Sequence, residues 1–120
     1  MVLPLILIIE NKNKVSETLK NNLFFEGYDF LSLTENNELK RVVLSLLPEI
    51  IVMESDLLRE TMPVVKSIIS QTDYHPRLLT FDAVSNLFSV VEIFTGYHIA
   101  DHHFEVCELR DFTNRVVSLN

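Results

Sequence analysis

Five times along this chain of 120 residues, an apolar run of strand length gives way to a segment whose apolar residues recur at helical spacing. That alternation restricts the fold to an α/β domain built on a parallel sheet with helices on both faces. The first run, residues 5–9, is continuous in Leu and Ile, as expected of a parallel strand covered on both sides. Val15, Leu19 and Leu23 then mark one helical face, and Gly27 stands where a left-handed helix terminus is expected.

Residues 28–33 read as a second strand. Leu39, Val42, Val43, Leu46 and Leu47 form the next stripe, which stops at Pro48. The third strand is residues 50–53. Thr61 serves as a candidate N-cap for a helix through Ile68 and Ile69, with Pro63 in its first turn. A short fourth strand covers residues 77–80. Val84, Leu87, Phe88, Val91 and Phe94 share one face of a fourth helix closed by Gly96. Residues 97–100 make the fifth strand, and Val106, Leu109, Phe112 or Thr113, and Val116 lie along a last helix. The expectation is one domain over residues 1–120 with a doubly wound five-stranded parallel sheet.

The charge balance, 17 acidic against 10 basic residues for a net of −7, leaves no basic stripe, since Lys40-Arg41 is the one adjacent basic pair. Direct nucleic-acid binding is therefore not expected. A single cysteine, Cys107, rules out an internal disulfide and suits a reducing, cytoplasmic setting. The apolar start has no basic segment before it and runs directly into Glu10-Asn11-Lys12. It reads as a buried strand and not as a signal or membrane segment.

In a sheet of this kind the ligand crevice lies at the carboxyl ends of the strands. Those ends carry Glu10 and Asn11, Glu54 to Asp56, Thr80, and Asp101-His102-His103. With these residues the whole chain resembles the receiver domain of two-component response regulators. Residues 5–11 stand where that family has an apolar strand and an acidic pair, and Glu26-Gly27-Tyr28 matches its entry to strand two. Residues 48–54, PEIIVME, are similar to its PDLIILD. Leu78-Leu79-Thr80 is similar to its LT(A/S), and His102-His103-Phe104 stands in place of its KPF. The resemblance implies a (βα)5, flavodoxin-like fold. It also implies a phosphoacceptor pocket of Glu10, Asn11, Glu54, Asp56, Thr80 and His102, in signal transduction or transcription regulation.

A working pocket of that family needs an Asp acceptor, acidic ligands for Mg²⁺, a Lys and a hydroxyl. Here Glu54 is one methylene longer than Asp, Asn11 removes a charged metal ligand, and His102 replaces the Lys with a group that is mostly neutral near pH 7. Thr80 alone keeps the family's residue type. The pocket is thus expected to be degenerate, with no Mg²⁺ or other cofactor, no catalytic residue and no resident metal. One alternative is a competent receiver that uses Asp56 or Glu54 with Mg²⁺. Another is an internal imitation of the phosphorylated state, in which Glu54 bonds Thr80 and pairs with His102.

By resemblance, a homodimer or protein partner would be engaged through helix four, strand five and helix five, where Val90, Ile93 and Ile99 are the candidate interface residues. The domain would then act as a non-enzymatic, phosphorylation-independent module, standing at the N-terminal side of an output domain. Two glycines, neither in a phosphate-cradling loop, and the absence of a G-x-S-x-G elbow argue against nucleotide or hydrolase chemistry.

Overall fold

The computed structural model describes residues 5–10, 17–34, 36–82, 84–93, 97–105 and 108–109. In chain order these form β1 (Ile6–Ile9), α1 (Glu17–Phe25), β2 (Phe30–Leu33), α2 (Leu39–Leu46), β3 (Ile50–Glu54), α3 (Leu58–Ser70), β4 (Arg77–Asp82), β5 (Leu87–Ile93) and β6 (Tyr97–Phe104). They assemble into one six-stranded sheet in the order β2-β1-β3-β4-β5-β6. The pairs β1–β2, β1–β3 and β3–β4 are parallel, whereas β4–β5 and β5–β6 are antiparallel.

The expected five-stranded parallel sheet is therefore incorrect: the sheet is mixed, with six strands. The parallel half follows the alternation seen in the sequence. Every residue of β1 and β3 is buried, consistent with strands covered on both faces. On one face Leu19 and Leu23 of α1 pack against Ile6, Ile8, Ile50 and Val52, and Leu109 joins the same cluster. On the other, Leu39, Val42 and Val43 of α2 and Met62 and Val65 of α3 pack against Leu7, Ile51 and Met53.

Each helix in this half ends for a local reason. Tyr28 N–H donates to the Leu23 carbonyl at 3.0 Å and Gly27 N–H to that of Phe24 at 3.0 Å, with Gly27 at φ 85°. This is the Schellman arrangement, and Leu23 and Tyr28 are buried in one cluster beside it. At the end of α2 it is Leu47 that takes the left-handed position, φ 46° and ψ 58°, and its N–H donates to the Val43 carbonyl. The third helix starts at Leu58, before the expected Thr61, because a 3-10 turn at Ser55–Leu57 feeds directly into it. Pro63 consequently lies inside the helix on an exposed face, and Thr61 is buried.

The antiparallel half replaces the expected fourth helix with β5. Asp82 Oδ1 accepts the Val84 N–H at 2.8 Å, Asn86 N–H returns to the Asp82 carbonyl at 2.8 Å, and Asn86 adopts φ 60°. These contacts reverse the chain immediately after β4, in the way short-side-chain Asp and Asn favour. Val84, assigned to the buried helical stripe, is 94% exposed at the tip of this turn. Phe88 then packs between Phe81, tilted against it at 5.2 Å between centroids, and Phe104, stacked on it at 5.3 Å, which ties β4, β5 and β6 together on the α1 face. The fifth expected strand becomes the sixth and runs on through Asp101-His102-His103 to Phe104. Most of the last expected helix lies outside the described residues.

Candidate functional site

Glu10 follows β1 directly and Glu54 ends β3. Ile9 pairs with Met53, so the continued register sets Glu10 beside Glu54 on the adjacent strand. Side chains alternate along a strand, and both residues fall on the face that carries Ile8, Val52 and α1. Both carboxylates are buried, Glu10 at 2% exposure and Glu54 at 3%. Two buried carboxylates side by side demand compensation, and α1 supplies it. The Lys20 ammonium donates to Glu10 Oε1 at 2.9 Å across ten residues of sequence. A charge-assisted bond of this length is among the strong kinds, and here it is largely shielded from water.

The register separates the other expected members. Thr80 pairs with Met53, one position short of Glu54, whose partner is Phe81. The pleat therefore turns Thr80 to the α2/α3 face and Glu54 to the α1 face, so the imagined Glu54–Thr80 bond has no geometric basis. His102 lies on β6, and β5 intervenes between that strand and β4. In the resemblance the Lys-bearing strand adjoins the Thr-bearing one; here Thr80 is instead flanked by Ser89. Asp56 is exposed on the 3-10 turn after β3, where Ser55 Oγ donates to the Phe81 carbonyl at 3.2 Å. Asn11 lies outside the described residues.

A divalent cation such as Mg²⁺ would need Glu10 as an oxygen ligand and would compete there with Lys20, which holds Oε1, while Oε2 is buried without a hydrogen-bond partner. Among the described residues, no three of His, Cys, Asp and Glu come together in a group that could hold a metal ion.

Two arrangements escaped the sequence reading. Lys20 adjoins Leu19 at the border of the buried stripe, but nothing local singles out its partner ten residues earlier. Across the hairpins, Ser89 Oγ and His103 Nδ1 lie 2.6 Å apart on paired positions of β5 and β6. With Thr80 beside Ser89 they form a polar row, legible only once residues 87–93 are taken as a strand. Of the expected interface residues, Val90 is half-buried against the core cluster, and the side chains of Ile93 and Ile99 lie outside the described set. The interface expected on a fourth helix loses that helix to β5.

No protein-family model, no curated protein and no solved structure matches this chain. Among the described residues no helix is long and apolar enough to cross a membrane.

Proposed function

We propose that the chain is a cytoplasmic, receiver-derived regulatory module that acts through protein contacts and without phosphorylation, in signal transduction or transcription regulation. One observation carries this reading: the Lys20 ammonium lies 2.9 Å from Oε1 of Glu10, the carboxylate that a phosphorylation-linked cation would require. Displacing it would break a buried ion pair, and removing one partner of such a pair costs several kcal/mol. Glu54, in the acceptor place, is also buried and offers a phosphoryl donor no direct approach.

The ancestry is supported by the strand order β2-β1-β3-β4, with α1 on one face and α2 and α3 on the other. It is supported further by the acidic residues at the ends of β1 and β3. The module then has no chemical step to perform, and its output is the surface it presents.

Incubation with acetyl phosphate and Mg²⁺, followed by intact-mass spectrometry, tests the reading. Wild type is expected to stay at its unmodified mass. A stoichiometric phosphoryl adduct would overturn the proposal, and its mapping to exposed Asp56 would make that residue a working acceptor.

A further inference from the structure

Ser89 and His103 occupy paired positions on β5 and β6, with Ser89 Oγ 2.6 Å from His103 Nδ1. A contact this short is a full hydrogen bond. In the tautomer that carries its proton on Nε2, the imidazole accepts the hydroxyl at Nδ1, which is the relation of a nucleophile to its general base. Ser89 is 8% exposed and Thr80, its partner on β4, is 2% exposed, whereas His103 is exposed. The hydroxyl is thus largely shielded from water, while its base can exchange a proton with solvent.

Two further features lie beside the pair. The first is a bulge. Ser89 pairs with His103 and Val91 with Ile99, so Ala100 to His102 of β6 stand opposite the single Val90. Bulges leave backbone groups out of the ladder and are over-represented next to active sites. Backbone N–H groups freed in this way are the kind of donor that stabilises the oxyanion of an acyl transfer. The second is apolar space. Leu78 and Val91 continue the same face of β4 and β5 one alternation beyond Thr80 and Ser89. With Ile69, His75 and Pro76 they line a cleft of about 300 Å³, the lower end of the range for small-molecule sites.

We propose that Ser89 is an acylation site, at which His103 acts as base and a short aliphatic ester, its chain in the cleft, supplies the acyl group. Ser89 Oγ bonds to the ester's carbonyl carbon as the hydroxyl proton passes to His103 Nδ1. The tetrahedral adduct then expels the alcohol portion of the ester, which leaves with that proton, and nothing is oxidised or reduced. The product is the chain carrying one acyl group on its α2/α3 face. This goes beyond the reading above and does not depend on it, because Glu10 and Glu54 lie on the opposite, α1 face. Phosphoryl labelling at that pocket would overturn the former and leave this one standing.

Incubation with p-nitrophenyl butyrate tests it, read by release of nitrophenolate and by peptide mass mapping. Wild type is expected to give a burst approaching one equivalent, with the butyryl group on Ser89. The burst rate is expected to rise with pH through the range in which an imidazole loses its proton, since the base must be neutral. His103→Gln is expected to slow labelling of Ser89 by about 100-fold or more, and Ser89→Ala to remove the burst. If Ser89→Ala loses its fold by circular dichroism, His103→Gln carries the test, because that side chain already meets solvent. No butyryl group on Ser89, an unchanged burst in folded Ser89→Ala, or labelling of Ser89 at the wild-type rate in His103→Gln would each overturn the proposal.

Discussion

Lys20 and Glu10 form the residue pair on which the functional reading turns, and the energetics of buried ion pairs say how each should respond to change. Removing one partner strands a charge that is shielded from water, while replacing both is far milder. Lys20→Met is therefore expected to cost about 3 kcal/mol in urea denaturation, and Lys20→Met with Glu10→Gln distinctly less. Equal losses in the single and double variants would show that the pair is not coupled. Tyr74 offers a second test at this scale. Its hydroxyl donates to the Pro48 carbonyl, pinning the loop after α3 to the start of β3. Burial, with a smaller contribution from Glu49, pushes its ionisation up from the ordinary tyrosine value of 10.0. A raised folded-state value favours the neutral phenol, so the stability it contributes is present below about pH 10 and is lost as pH climbs above that. Tyr74→Phe is expected to lower stability by about 1 kcal/mol at neutral pH and to flatten the alkaline decline. An unchanged alkaline slope in the variant would assign that decline to other groups.

At the scale of elements, the two halves of the chain were unequally legible. Continuous apolar runs gave β1 and β3 because strands buried on both faces have no other way to be written. Residues 87–93 misled for a related reason. Phe88, Ser89 and Val91 are all buried, so the strand shows no clean alternation, and the same residues lie acceptably along a helical stripe. What distinguished the two was available: the β-branched and aromatic content of Phe88, Val90, Val91 and Ile93, and turn-forming Asp82 and Asn86 just before them. The helix ends yield a prediction of their own. Leu47 holds a left-handed conformation that a side chain with a Cβ disfavours by about 1–2 kcal/mol. It is also half exposed, so little burial is lost on its removal. Leu47→Gly should therefore raise the thermal midpoint, corresponding to a gain of about 1 kcal/mol; a fall would mean that Leu47 packs more than its exposure indicates.

For the whole molecule, the consequence of the hairpins is a sheet whose parallel half keeps the strand–helix alternation read from the sequence and whose other half does not. Glu10 and Glu54 were legible as a site because strand ends can be read from where apolar runs stop. Thr80 and His102 were joined to them by family spacing alone. A one-residue offset in pairing and one intervening strand are enough to separate all of that, and neither is written locally in the sequence. The central claim is that the Glu10 carboxylate of the pocket is already paired from within by Lys20. The most direct measurement is a titration with Mg²⁺ and beryllofluoride, a phosphoryl mimic, followed by amide chemical shifts in the ¹H–¹⁵N spectrum. The account predicts no saturable change at Glu10, Glu54 or their neighbours on β1 and β3. Saturable shifts centred on those residues would show a pocket that still takes a cation and a phosphoryl group, and would contradict it.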